Sequence, residues 1–242
     1  MSHAEDLLRE LGVTEPGEID LAAIAWHLGL EIVIRPLSGC EARIVGGNGR
    51  GVISIDERKP PTRRRFSIGH EIGHWKHHQG FLLYCRSDEI GHSNQQIPDA
   101  ERIANRYAAD LLMPRFLFYP RAAALKALTW PTIRKLGEEF KTSPVATAIR
   151  AVDMGTHPVM LVCYSMTGRR WFVRSGLLPT DCWPLSELDA RSNAMSILYG
   201  KTADERPKRF AASVWLSGAS TMQVTEQTVL CEDEVLTLLT LG

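Results

Sequence analysis

The chain has 242 residues, 44% hydrophobic and 23% charged, the composition of an ordinary soluble globular protein with ample material for a core. Lysine plus arginine and aspartate plus glutamate number 28 each, which excludes a global field steering it toward nucleic acid or acidic membranes, so any basic patch must be local. The five cysteines are scattered without a CxxC pair, which argues against a disulfide framework or a cysteine zinc site and fits a reducing compartment. Residues 1–11 lack the apolar run of a signal peptide and no segment is long enough to span a bilayer, so the expected location is the cytoplasm, with no membrane partner.

In chain order, residues 4–11 and 19–29 read as short amphipathic helices, the second ending at Gly29. Leu30–Ile34 alternates toward a strand. Glycine-rich 46–51 reads as a turn, followed by a strand over Gly51–Asp56. Beyond Pro60 and Pro61 a helix runs from near Arg64 through His78, with Phe66, Ile68, Ile72 and Trp75 as core positions. Residues 79–98 read as a loop, and 99–113 as a helix stopped by Pro114. Further helices follow to about residue 153, broken by Pro120, Pro131 and Pro144.

From His157 the character changes. Residues 158–165 and 169–175 are β-like runs around a Met166-Thr-Gly168 hairpin, 209–230 holds one or two further strands, and 201–209 reads as a solvated loop. The expected class is α+β: a mixed helical and β first domain over 1–128, a helix-turn-helix-like segment over 129–156, and a β-containing C-terminal domain over 157–242.

The most informative string is Arg65-Phe-Ser-Ile-Gly-His70-Glu71-Ile-Gly-His74-Trp75. Two histidines four apart on a helix differ by about 40° in azimuth and about 6 Å along the axis, so both imidazoles reach one ion. Glu71, about 100° around from His70, can hydrogen-bond an attacking water without ligating the metal. That division of labour is what zinc-assisted amide hydrolysis requires. Chance produces such a string in roughly two of every hundred chains of this composition. The alternative, a surface helix with two solvated histidines, fits poorly with the apolar neighbours, because burying two unpaired imidazoles is costly.

A catalytic site needs a third protein ligand and an open position. His77 lies about 10 Å along the axis from His70, too far to join one ion, and His77 and His78 read as surface residues. His92 has no supporting spacing. Glu101 begins the helix Glu101-Arg-Ile-Ala-Asn105-Arg-Tyr107-Ala-Ala-Asp110-Leu-Leu-Met-Pro114, in which Ala104, Ala108 and Ala109 permit close packing on the histidine helix and Asn105 shares the stripe of Glu101. Spacing alone leaves Glu101 equally a ligand or a residue favouring the helix dipole.

The segments Arg65–His74 and Glu101–Pro114, with their separation, closely resemble the ImmA/IrrE family of metallopeptidases. The resemblance covers about residues 15–155 and is most specific over 64–114. It implies zincin-type architecture, zinc ligands His70, His74 and Glu101, and Glu71 as catalytic acid/base. It also implies a bacterial enzyme that cuts a helix-turn-helix repressor to induce a stress response or a mobile element. The family's radiation-response branch carries a central helix-turn-helix-like segment and a C-terminal GAF-like sensor region. This chain resembles it in the middle part, and no motif in the C-terminal region singles out a sensor fold.

The expected mechanism has Glu71 take a proton from the attacking water and return it to the leaving amine, with Tyr84, Tyr107 and Tyr119 as candidate oxyanion donors. Gly51–Asp56 could present an edge to an extended substrate or be an internal strand. The ion is expected to be Zn2+, with Mn2+ or another divalent metal as the alternative. Residues 130–153 could bind DNA, but the second helix offers only Arg150 as a cation, which favours a structural or repressor-docking role. The competing functions are a non-proteolytic zinc-containing DNA-binding regulator and the toxin of a toxin–antitoxin pair.

Overall fold

A computed structural model describes residues 2–77, 83–85, 99–200, 204–218 and 222–242, with side chains at 83–85 left out of the description. The chain forms two compact units, one of residues 1–120 and 137–143 and the other of residues 121–136 and 144–242.

In the first unit, α1 (His3–Glu10) starts where the Ser2 side chain accepts the Glu5 N–H. Helix α2 (Leu21–His27) is capped by Asp20, whose carboxylate accepts the Ala22 and Ala23 N–H groups, as expected for an N-cap aspartate. Strands β1 (Leu30–Arg35), β2 (Ala42–Gly47), β3 (Arg50–Asp56) and β4 (Leu83–Cys85) form one sheet in the order β1-β3-β2-β4. β1 pairs parallel with β3, and the β2–β3 and β2–β4 pairs are antiparallel. β3 is therefore internal among the described strands, which removes it as a substrate edge.

Strand β2 has no counterpart in the sequence reading. The turn signal spread over 46–51 is in fact confined to Asn48 and Gly49, both at positive φ, the two-residue Asn-Gly hairpin. Gly46 and Gly47 belong to the strand. Gly46 is needed there, because a Cβ would sit 3.0 Å from the Trp75 ring and 2.5 Å from Gly51 Cα. Strand β4 likewise corrects the expected loop over 79–98 at 83–85, and the other residues of that stretch lie outside the described ones.

Helix α3 (Pro61–His77) opens on a proline, which suits the first helical turn, and packs on β2 and β3 as well as on α4 (Asp99–Leu112). Of its expected core positions, Ile68 and Ile72 are buried, while Phe66 and Trp75 are half-buried. Trp75 Nε1 donates to the Leu28 carbonyl at 3.2 Å. Helix α5 (Arg115–Ala123) runs through Pro120 instead of breaking there. Pro131 and Pro144 stand at the starts of α6 (Trp130–Phe140) and α7 (Pro144–Asp153), where their missing N–H groups cost nothing.

In the second unit, β5 (Val159–Ser165), β6 (Gly168–Arg174), β8 (Lys208–Ala211), β10 (Gln223–Cys231) and β11 (Glu234–Leu241) form an antiparallel sheet in the order β6-β5-β11-β10-β8. β7 (Trp183–Pro184) and β9 (Leu216–Ser217) pair separately. The β5–β6 hairpin matches expectation. Strand β11 and helix α8 (Asn193–Gly200) were not anticipated, and Lys208 and Arg209 lie in a strand instead of the solvated loop. Tyr164, Trp215, Ile197 and Leu239 sit in one apolar core. Beside them Glu226 is buried and accepts the Asn193 N–H at 3.1 Å, Trp215 Nε1–H at 3.1 Å and the Thr228 hydroxyl at 2.7 Å. Burial raises its pKa, against those hydrogen bonds. Cys40, Cys163, Cys182 and Cys231 are free thiols. Among the described residues, no helix is long and apolar enough to cross a membrane.

Candidate metal centre

The site is made by two helices that approach unusually closely. Gly69 and Gly73, one turn apart on α3, face Ala104 and Ala108 of α4. A Cβ at Gly73 would lie 3.0 Å from Ala104 Cα and from Tyr107 Cβ, and one at Gly69 would lie 3.4 Å from Ala108 Cα. Ala104 and Ala108 are fully buried and Ala109 is half-buried. The expectation of small residues on α4 thus describes only half of the interface. The other half is the Gly-x-x-x-Gly spacing inside the histidine string, a signal readable in the sequence.

This approach brings His70, His74 and Glu101 together, and they form a group of ligand-type side chains whose donor atoms all lie within 4.8 Å of one another. His70 Nε2 is 2.9 Å from His74 Nε2 and 3.1 Å from Glu101 Oε2, and His74 Nε2 is 3.1 Å from Glu101 Oε1. The four residues His70, Glu71, His74 and Glu101 are all buried, with Glu101 the most exposed at 7%. His77 is exposed at the end of α3, and its ring packs against His3 and Tyr107. His78 and His92 lie outside the described residues.

Asn105 is the residue whose role sequence reasoning missed. Its position one turn after Glu101 places Oδ1 3.0 Å from His70 Nδ1. With the amide oxygen accepting, Nδ1 carries the proton, and a neutral ring then presents the lone pair of Nε2 toward Glu101 and His74. That arrangement of a ligand imidazole held through its other nitrogen is typical of metal sites.

The donor set fits a divalent ion. Two imidazole nitrogens and a carboxylate suit zinc, and a tetrahedral ion with bonds of about 2.0–2.1 Å separates its ligands by about 3.3 Å. The observed 2.9–3.1 Å requires only slight spreading. Three converging lone pairs repel unless a cation, a metal ion or in its absence a proton, lies among them.

Burial pushes the Glu101 carboxyl up, but hydrogen bonds and charge from His70 and His74 outweigh this and hold it down at about 2. Its folded value is below its ordinary 4.5, so Glu101 stabilises the metal-free fold above pH 4.5. That contribution is lost as pH falls from there toward about 2. Urea unfolding in chelator is expected to show this loss between pH 5 and pH 2.5, and Glu101→Gln is expected to lessen it, leaving the part that comes from Asp56, Asp189 and Asp204, whose carboxyls are held low by basic neighbours. An unchanged slope in the variant would contradict the assignment.

Ser67, seven residues before His74 and thus on nearly the same stripe of α3, is 1% exposed, and its hydroxyl has no hydrogen-bond partner. A buried unmade hydrogen bond costs about 1–3 kcal/mol. Ser67→Ala is expected to leave stability in urea unchanged or raise it by about 1 kcal/mol, and a clear loss of stability would contradict this.

Of the candidate oxyanion donors, Tyr107 is buried with no partner for its hydroxyl, and burial pushes its pKa to about 12. Tyr119 lies half-buried under the Arg115 guanidinium, 4.6 Å from its ring centroid. Tyr84 takes part in β4, and its side chain lies outside the description.

Together, the mixed α+β fold with a paired-histidine helix crossed by a carboxylate-bearing one defines a small zincin-like domain. The peptidase family described as the IrrE N-terminal-like domain matches residues 25–152, and the chain belongs to this ImmA/IrrE family. A solved structure of a Mycobacterium tuberculosis transcriptional regulator is similar in fold, with a TM-score of 0.60 at 16% identity over 98% of this chain and 74% of that one. No curated protein matches the chain.

Proposed function

We propose that this protein is a zinc-dependent endopeptidase that cleaves a helix-turn-helix repressor and so induces a stress or mobile-element response. The observation that carries the enzymatic part is the convergence of His70, His74 and Glu101, with Glu71 one residue from a ligand and buried beside them. When bound, zinc supplies Lewis acidity toward the attacking water and the scissile carbonyl. His70 and His74 would hold the ion through Nε2, with the His70 ring fixed by its hydrogen bond to Asn105. Glu101 offers the third, anionic donor. Glu71 accepts the proton of the water on its carboxylate, holds it there, and delivers it to the amine leaving group.

Membership of a peptidase family supports this reading. A DNA-binding role through residues 130–153 is disfavoured because Arg150, the cation of α7, is itself only 5% exposed, whereas phosphate contacts need accessible charge. The test is incubation with a helix-turn-helix repressor encoded beside this protein, with and without chelator, followed by mass spectrometry. Discrete fragments that vanish with chelator and return with zinc support the proposal. An intact repressor together with tight binding to one DNA sequence would overturn it in favour of a non-proteolytic regulator.

A further inference from the structure

Strand β1 forms one margin of the first sheet. It pairs with β3 continuously from Leu30 to Arg35, without a bulge, and among the described residues no strand pairs with its other side. The Gly29 and Arg35 carbonyls accept the Gly51 and Glu57 N–H groups. Bonding alternates along a parallel pair, so the odd-numbered residues of β1 bond toward β3. Leu30, Ile32 and Ile34 therefore direct their N–H and C=O groups to the open side. Edges are commonly blunted by proline, lysine or a bulge. The middle of this one is Ile32-Val33-Ile34, with Ile34 50% exposed and its two neighbours half-buried.

We propose that β1 is a self-association edge, through which two copies of this chain pair antiparallel about a twofold axis at Val33 and join their sheets into one. The segment Glu31-Ile-Val-Ile-Arg35 is complementary to itself when reversed. Glu31, Val33 and Arg35 share one face of the strand, and Ile32 and Ile34 the other. With Val33 opposite its own copy, Glu31 stands opposite Arg35 of the second molecule, Arg35 opposite its Glu31, and each Ile32 opposite an Ile34. Glu31 and Arg35 are both exposed, and opposite charges facing each other across strands stabilise a pair.

The backbone agrees with this register. Ile32 and Ile34, whose N–H and C=O groups face outward, become the hydrogen-bonded pairs. Val33 and the two charged positions become the other kind, in which side chains stand closest. A shift of two residues in either direction would set a charged residue against Val33, so the charges select one alignment. Because the same patch serves both molecules, the contact closes at two copies. It uses no residue of the metal centre, so it stands or falls apart from the peptidase reading.

The test is sedimentation equilibrium of the full chain over a range of micromolar concentrations. Wild type is expected to show a monomer–dimer equilibrium. Glu31→Arg and Arg35→Glu each create two like-charged pairs and are expected to weaken the dimer about tenfold or more. An equal mixture of the two variants restores both ion pairs, and the dimer should return. Arg35→Glu also removes a hydrogen bond to Ser54 and sets a carboxylate beside Asp56, so circular dichroism checks its fold. A second measurement does not depend on it. Val33→Cys places two thiols opposite each other with Cα atoms about 4.5 Å apart, within disulfide range, and mild oxidation should link them. Glu31→Cys faces Arg35 instead and should stay unlinked at that position, with peptide mapping to set aside links through the native thiols. A wild type that is monomeric throughout would overturn the proposal and leave the edge to a strand of another protein. A dimer indifferent to Glu31→Arg, a mixture of folded variants that stays monomeric, or Val33→Cys linked no faster than Glu31→Cys would overturn it too.

Discussion

Glu71→Gln is expected to bind zinc as tightly as wild type and to unfold at the same urea concentration, while cleavage of the proposed repressor substrate falls by about two to four orders of magnitude. Glutamine has the shape of glutamate and fills the same buried place, but it cannot take up the proton of the attacking water. Positioning and transition-state charge stabilisation by the rest of the site would remain and account for residual turnover. The contrast is with His70→Ala, which deletes a donor and should lose metal and activity together. Rates from fragment quantification, with metal content measured on the same samples, separate the two. Undiminished cleavage by a folded Glu71→Gln protein would remove Glu71 from the chemistry.

The second large effect is expected at a residue that touches no metal. Gly73→Val puts a branched side chain where even a single Cβ would lie 3.0 Å from Ala104 Cα and 3.2 Å from the Ala104 carbonyl oxygen. The obstacle is backbone, so the helices must part. Overpacking of this kind costs about 1–3 kcal/mol or more. Because Glu101 reaches the histidines across the same interface, a shift of even half an ångström would spoil the ligand geometry, and zinc affinity should drop about tenfold or more.

Gly69→Ala is the control. Its Cβ would meet Ala108 at 3.4 Å, an ordinary contact, and removing a helical glycine gains up to about 1 kcal/mol. Urea unfolding in chelator and zinc titration of both variants check this. Equal effects at the two glycines would refute the close-crossing explanation.

How far the sequence revealed this molecule depended on whether a signal was local. The histidine spacing within α3, Asn105 on the stripe of Glu101 and the proline that ends α4 all follow from helix geometry, and the structure places them accordingly. Whether Glu101 reaches the histidines is a property of two helices meeting, and spacing left it open. The geometry that settles where it sits comes from Gly69 and Gly73, whose role appears only once the facing alanines are in place. Strand β2 was missed because a wide glycine-rich signal hid a two-residue turn at Asn48-Gly49. Strand β11 reads Glu-Val-Leu-Thr-Leu-Leu-Thr-Leu. It is buried from Val235 to Leu239, and with both faces covered it shows no clean alternation. Helix α8 has an apolar sequence with little one-sidedness, so its period is faint.

The central claim is that one divalent ion is held by His70, His74 and Glu101. A crystal of the zinc-loaded protein, recorded at wavelengths on either side of the zinc absorption edge, tests it directly. The expected result is an anomalous peak about 2.0–2.2 Å from His70 Nε2, His74 Nε2 and a Glu101 carboxylate oxygen, with a solvent molecule as the remaining ligand. No peak among these three side chains at full zinc occupancy elsewhere, or a peak there closed by a fourth protein ligand, would contradict the account.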